Sequence, residues 1–145
     1  AKHERLHFYW ADVERQQRSF PPGKFDRILA IDSIFFVRDQ QAVTQLLLDH
    51  LAPDGRMGLF YLCPTGTAAD ETTLAMAMKT LSVPYHVIDL SAQNKEHWIN
   101  KKRVLLELQP QFSAEGHEFL FKNRMAECDG LENFQRYLYL VSATQ

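Results

Sequence analysis

Residues 25–33 read Phe-Asp-Arg-Ile-Leu-Ala-Ile-Asp-Ser, and residues 57–62 read Met-Gly-Leu-Phe-Tyr-Leu. Both runs are short and largely apolar, which is typical of strands covered on both faces in a parallel sheet. The residues between them carry apolar side chains at helical spacing and suit a single crossover helix. We therefore predict an α/β fold. Polar residues after the first strand, Asp32 and Ser33, would lie where open α/β sheets bind ligands.

Further elements are predicted downstream from apolar periodicity. They are a helix over 69–81, a strand over 83–90, helices over 91–108 and 113–128, and a final aromatic strand over 135–142. We expect the first three strands of the sheet, at 6–11, 25–31 and 57–62, to run parallel and the final strand to run antiparallel.

Capping and breaking residues set the expected helix ends. Thr67 or Asp70 would cap the first downstream helix, and Ser91 would cap the next. Pro110 would end that helix, because proline has no N–H to donate within a helix. Gly130 would end the last one. Pro53 and Gly55 would likewise stop the crossover helix before the second strand.

Composition limits the function classes. The chain has 145 residues, enough for one domain over 1–145, and a net charge of −2. Such a charge gives no basic surface for nucleic acid. Two cysteines without metal or redox spacing indicate a reducing compartment, and no apolar run is long enough to span a bilayer. We expect a cytoplasmic protein with no metal site, since the six histidines show no ligand spacing.

Three short motifs occur in a familiar order: Ala11-Asp12-Val13, Phe25-Asp26, and Leu51-Ala52-Pro53-Asp54-Gly55. With the strands around them, they resemble the second half of a class I S-adenosylmethionine-dependent methyltransferase of the small-molecule type. The resemblance is good over residues 5–90 and loose beyond. It implies a Rossmann-like sheet whose last strand is antiparallel, with a helical lid insertion over 91–133.

The resemblance also implies contacts with S-adenosylmethionine. Asp12 matches the acid that accepts the adenine amino group, and Val13 would donate its backbone N–H to the adenine ring. Ile31, Asp32 and Ser33 would lie beside the methionine part of the cofactor. A strand-end or turn-forming role remains an alternative for Asp12, Asp32 and Ser33.

On the acceptor side, Phe36, Tyr61 and Trp98 are the expected substrate contacts, although aromatic residues at these positions also suit a core. Methyl transfer requires no obligatory catalytic side chain. His86, His97 or Asp32 could serve as a general base, and the sequence does not rank them. The chain lacks the Asn/Asp-Pro-Pro-Tyr-like motif of enzymes that methylate DNA bases, so the expected acceptor is a small molecule.

The 145 residues contain no counterpart of the family's glycine-rich cofactor loop, which would precede residue 1. We therefore expect a C-terminal portion of a methyltransferase domain. Residues 1–145 alone would be inactive and bind the cofactor weakly or not at all. We also expect an exposed sheet edge on the strand at 25–31, which would favour a homodimer.

Two other readings remain open. One is a non-catalytic α/β module for oligomerisation or regulation, which keeps the sheet but lacks cofactor binding. The other is an unrelated doubly wound fold such as a receiver domain. The two late helices and the final strand argue against a receiver domain.

Overall fold

The computed structural model describes residues 13–14 and 23–143. Its strands are β1 (Phe25–Ala30), β2 (Leu51–Pro64), β3 (Tyr85–Asp89) and β4 (Phe134–Ser142). Its helices are α1 (Gln40–Asp49), α2 (Thr73–Thr80), α3 (Ser91–Ala114) and α4 (Glu118–Leu131), with short 3₁₀ turns at Ile34–Phe36 and Ala69–Glu71. The fold is a mixed α/β sheet with helices, as predicted.

The four strands form one sheet in the order β1-β2-β4-β3. β1 pairs with β2 in parallel, and β4 is inserted antiparallel between β2 and β3. The predicted directions of the strands at 25–31, 57–62 and 135–142 are therefore confirmed. The strand predicted at 6–11 lies outside the described residues.

α1 ends at Asp49 and β2 begins at Leu51, so Pro53 and Gly55 lie in an irregular start of the strand and do not stop the helix as predicted. The pairing with β1 shifts register between Phe25 and Arg27, and Asp54 has a φ of 61°. Gly55 is required here by space, because an added Cβ would lie 2.7 Å from the Ala52 carbonyl oxygen. The Gly55 carbonyl accepts a hydrogen bond from Ala143 N at 2.9 Å, which ties this irregular start of β2 to the chain after β4.

One face of the sheet is packed against α1 and α2. Alternate residues of β2 and β4, including Met57, Leu59 and Tyr139, are at most 1% exposed and form the centre of the main core. Because the side chains of a strand alternate between the two faces of a sheet, the residues between these buried ones point to the opposite face.

The opposite face is covered only in part by the described residues. α3 packs on β4 near its start, whereas Leu29 on β1 and Ile31 directly after the strand are 63% and 56% exposed. The expectation that this strand is covered on both faces is wrong for these residues, because no described element packs over them. β1 is also an edge strand of the described sheet, as expected.

Several predicted helix ends need correction. Asp39 caps α1 by accepting from Ala42 N, and Thr72 caps α2 by accepting from Ala75 N, in place of Thr67 or Asp70. Ser91 does not cap α3; instead its backbone N–H donates to Asp89. A side chain can cap a helix only where the local backbone brings its oxygen close to the free N–H groups of the first turn.

α3 and α4 both pass the predicted stops. α3 continues through Pro110 to Ala114, and α4 includes Gly130. The helices pack against each other through Trp98, Leu105, Cys128 and neighbouring apolar side chains. This tertiary packing offsets the helix-breaking tendency of one proline and one glycine. In the described part of the chain, no helix has the length and apolar character needed to cross a membrane.

Candidate functional site

A cavity of about 460 Å³ lies between the sheet and the helical pair formed by α3 and α4. It is at the carboxyl ends of β1 and β2, the end of an α/β sheet where ligands bind. Its lining residues are Asp32, Phe35, Phe36, Leu62, Asn94, Trp98, Glu127, Leu131, Phe134 and Arg136. The volume and the mostly apolar, aromatic walls with a few polar groups are those of a small-molecule site.

Asp32 and Arg136 form an ion pair at one wall of this cavity. Asp32 follows β1 with a φ of 49°, a left-handed conformation that turns the chain away from the sheet. Arg136 is the third residue of β4 and reaches across β2, where its guanidinium carbon lies 5.5 Å from the centre of the Phe60 ring. Asp32 is the more exposed partner, with 54% of its side chain accessible against 20% for Arg136.

Asn94 anchors α3 to the segment that joins α4 to β4. It is 3% exposed, and its side-chain amide donates to the carbonyl of Leu131 at 3.4 Å and to that of Phe134 at 3.1 Å. Its oxygen accepts from Trp98 Nε1 at 3.1 Å. Because the other end of the Asn94 amide is bonded to these two carbonyls, its bond to Nε1 holds the Trp98 indole in the cavity wall.

A charge cluster lies on the helical side of the cavity. Glu127 accepts from Lys101 at 3.1 Å and from Arg124 at 3.0 Å, and the Lys101 ammonium lies 4.4 Å from the centre of the Trp98 ring. Burial acts to raise the pKa of Glu127, but the hydrogen bonds from Arg124 and Lys101 outweigh it and leave the pKa below its ordinary value. Glu127 is therefore ionised at neutral pH and holds the two helices together.

Phe35 and Phe36 reach the cavity because the 3₁₀ turn at Ile34–Phe36 follows Asp32 directly. Their ring centres are 4.2 Å apart, and Phe36 is 75% exposed although it is a large apolar side chain. Ile34 of the same turn is buried in the core and holds it in place. An exposed aromatic ring beside a cavity is suited to contact a ligand.

The predicted cofactor residues are only partly described. Asp12 lies outside the described residues, and Val13 packs against the main core near the start of α1. Ile31, Asp32 and Ser33 are exposed at the carboxyl end of β1. Ser33 makes no side-chain cap to the following turn.

The three predicted acceptor contacts separate into two groups. Phe36 and Trp98 line the cavity, together with Asp32. Tyr61 is on the opposite face of β2, where it is 8% exposed and its hydroxyl lies 2.6 Å from Thr73 Oγ1. The geometry therefore gives Tyr61 a packing role against α2. Of the three residues considered as a general base, His86 and His97 do not line the cavity, whereas Asp32 does.

Arg136 and Asn94 were not predicted as site residues. Arg136 is the sole charged residue in the nine-residue strand β4, which is a sequence signal for a special role. Asn94 lies four residues before Trp98, the spacing at which helical side chains meet. The signal at Arg136 does not identify its partner, since Asp32 is 104 residues away in sequence.

Other reactive groups lie elsewhere. Burial raises the pKa of both thiols, Cys63 and Cys128, so each is protonated at neutral pH. Among the described residues, no group of three or more His, Cys, Asp or Glu side chains is arranged to hold a metal ion.

Comparison with known proteins gives no match by sequence but several by structure. No protein-family model and no curated protein matches the chain. Phosphoethanolamine N-methyltransferase 2 from Haemonchus contortus, crystallised with phosphomonomethylethanolamine and S-adenosylhomocysteine, superposes with a TM-score of 0.75 at 13% identity. The match covers 92% of this chain and 36% of the enzyme.

Two further structures show the same fold. A Galdieria sulphuraria protein assigned as a sarcosine dimethylglycine methyltransferase matches with a TM-score of 0.66 at 12% identity, over 84% of this chain and 54% of its own. The [4+2]-cyclase SpnF matches with a TM-score of 0.62 at 12% identity, over 91% of this chain and 54% of its own. The chain thus spans between about a third and just over half of these proteins, and it has the fold of class I S-adenosylmethionine-dependent methyltransferases.

Proposed function

We propose that the chain belongs to an S-adenosylmethionine-dependent methyltransferase and forms the side of the active site that holds a small-molecule acceptor. The observation that carries this proposal is the aromatic cavity, which lies between the end of β1 and the helical pair and is bordered by Asp32 and Trp98. The methyltransferase fold of the structural neighbours supports the same reaction class.

The described residues include a group at the end of β1 that could contact S-adenosylmethionine from one side. Ile31, Asp32 and Ser33 are exposed where β1 ends, and Asp32 turns the chain so that this end stays open. These three residues, with Asp12 and Val13 at the adenine, would hold S-adenosylmethionine. Once bound, the cofactor supplies a methyl group already activated by its sulfonium, so the protein need only hold the acceptor in line with it and exclude water.

The helical pair supplies the remaining walls. Trp98 lines the cavity from α3, and Phe36 lines it from the turn after β1. We propose that residues 91–133 act as a lid that encloses the acceptor and that Asp32 is the nearest group able to accept a proton from it. A substrate role for Tyr61 has no support from its position in the core.

The rest of the cofactor site would come from a part of the protein other than residues 1–145, which contain no glycine-rich loop. The structural neighbours are two to three times longer than the matched region, which agrees with such an arrangement. The chain would then be the C-terminal portion of a methyltransferase domain and inactive alone.

A second candidate function is a non-catalytic module that associates through its sheet. The exposed edge strand β1, with Leu29 and Ile31 accessible, favours it. An open, apolar sheet edge invites pairing with another chain, here a second copy. In this case the cavity would have no role in methyl transfer.

A methyl-transfer assay separates the two functions. The protein expressed from its complete reading frame is incubated with tritiated S-adenosylmethionine and a panel of small acceptors, beside residues 1–145 alone. We expect transfer by the complete protein, a loss of at least about tenfold in kcat/KM for Trp98→Ala, and no effect of Ile99→Ala on the exposed face of α3. Absence of transfer, together with a 1–145 dimer in light scattering, would support the non-catalytic module.

A further inference from the structure

The guanidinium of Arg136 has two neighbouring N–H donors, of which only one is hydrogen-bonded to a described residue. The Nε and Nη2 groups of a guanidinium lie side by side and together fit the two oxygens of a carboxylate. In Arg136, Nη2 donates to Asp32, but Nε has no hydrogen-bond partner among the described residues although it is buried. A buried, unpaired donor is costly, so this edge is suited to an acceptor that the described residues do not provide.

The ion pair between Asp32 and Arg136 can open without disturbing the fold. The Asp32 side chain is 54% exposed, so its carboxylate can rotate into water at little cost, whereas Arg136 is held against the Phe60 ring. Rotation of Asp32 would uncover the Nε–Nη2 edge on the wall of the cavity. The ion pair is thus a replaceable contact.

The charges around the cavity favour an anion. Both acidic lining residues are already engaged: Asp32 by Arg136, and Glu127 by Lys101 and Arg124. These five groups comprise three cations and two anions. A bound carboxylate would balance them, whereas an ammonium ion would add to the excess of positive charge.

The remaining walls are apolar and aromatic. Phe35, Phe36, Trp98 and Phe134 line it with aromatic side chains, and Leu62 and Leu131 add aliphatic ones. Such walls bury a flat apolar body, while Arg136 would fix one polar end of it.

We propose that this cavity binds a small carboxylate with a flat apolar body, and that Arg136 determines this specificity by exchanging Asp32 for the ligand carboxylate. The inference rests on the proposed function in that this carboxylate would be the methyl acceptor. Asp32, released from Arg136, would then be free beside the reacting group.

Calorimetry with three matched probes tests the specificity without any cofactor. Phenylacetate, its neutral analogue phenylacetamide and the cation phenethylamine are titrated into residues 1–145. We expect phenylacetate to bind at least tenfold more tightly than either of the others. Equal or tighter binding of the amide or the amine would overturn the proposal.

Two variants test the exchange. Arg136→Lys keeps the charge but loses the two-donor edge, and it should weaken phenylacetate binding at least tenfold. Asp32→Asn removes the internal competitor and should tighten phenylacetate binding several-fold; asparagine also tolerates the left-handed backbone of this position. Arg103→Lys, at an exposed arginine paired with Glu107, is the matched control and should change nothing.

Even if Arg136→Lys fails to fold, the direction in which Asp32→Asn changes phenylacetate affinity tests the exchange. Weaker phenylacetate binding by Asp32→Asn would contradict the exchange. Failure of this proposal is distinguishable from failure of the proposed function. Methyl transfer to uncharged acceptors alone would refute the carboxylate site but support the methyltransferase function. Carboxylate binding without methyl transfer would support the carboxylate site but refute the methyltransferase function.

Discussion

Asn94 is the side chain through which three chain segments meet beside the cavity. It is buried, and all its hydrogen-bonding atoms are used by Leu131, Phe134 and Trp98. We expect Asn94→Ala to lower the free energy of unfolding by about 2–3 kcal/mol, because buried carbonyls and the indole N–H lose their partner.

Urea unfolding of Asn94→Ala measures this loss, with Asn100→Ala, at an exposed position of the same helix, as the control. The control should change the free energy of unfolding by less than about 0.5 kcal/mol. Equal small effects of the two substitutions would show that the Asn94 bonds do not stabilise the junction.

Individual site residues were predictable where local sequence determines their position. Asp32 and Phe36 follow a strand directly, so their place at its carboxyl end follows from the strand itself, and both line the cavity. The role of Arg136 was not predictable, because it depends on a contact with a residue 104 positions away. Tyr61 shows a related limit: an aromatic residue in a strand faces either side, and only packing shows which.

At the scale of elements, the start of β2 depends on a close backbone approach at Gly55. A methyl group there would lie 2.7 Å from the Ala52 carbonyl oxygen and 2.8 Å from Leu51 side-chain atoms. We expect Gly55→Ala to destabilise the protein by about 1–3 kcal/mol, since backbone atoms must move.

Gly130→Ala is the matched control for Gly55→Ala. Nothing lies within 4 Å of its added Cβ, and the residue is inside α4. The better helix propensity of alanine should therefore stabilise the protein, by about 0.5 kcal/mol. Thermal unfolding of both variants checks the opposite signs, and the same sign for both would contradict this explanation.

The pairing of α3 with α4 should depend on pH through Glu127. Its pKa is lowered in the folded protein from an ordinary value of 4.5, so its contribution to stability is present above pH 4.5 and is lost as pH falls through the folded value. We expect Glu127→Gln to lower stability by about 0.5–1 kcal/mol at pH 7, because the pair is partly exposed to solvent.

The difference in melting temperature between wild type and Glu127→Gln should shrink steadily below pH 4.5. Asn100→Ala, at an exposed position of α3 and without a titratable side chain, should show no such dependence. A difference between wild type and Glu127→Gln that stays constant from pH 7 to pH 3 would exclude an ionic contribution from this residue.

The order of elements followed from periodicity, but several boundaries did not. The crossover between β1 and β2 is visible in apolar spacing, and Asp39 marks the start of α1. α3 passes Pro110 because the packing of the helical pair outweighs a local helix breaker, and such packing is not present in a single window of sequence.

At the scale of the whole molecule, the sheet order was predictable only from the resemblance to a family. Apolar runs predict strands and crossovers, but they do not indicate that β4 lies between β2 and β3. The exposure of one face of β1 was also not predictable from its sequence, because it depends on which elements pack on the sheet. Continuous apolar runs predict covered strands, and Leu29 and Ile31 depart from this pattern because no described element packs over them.

Binding of S-adenosylhomocysteine followed by ¹⁵N NMR tests the proposed cofactor site most directly. The method detects weak binding to the 16.8 kDa chain and locates it residue by residue. We expect shifts at the backbone amides of Val13 and of Ile31 to Ser33, without saturation at about 1 mM ligand, because our proposal assigns the rest of the cofactor site to another part of the protein. Shifts confined to another surface would contradict the proposed cofactor site, and saturation at low-micromolar ligand would contradict the incomplete site.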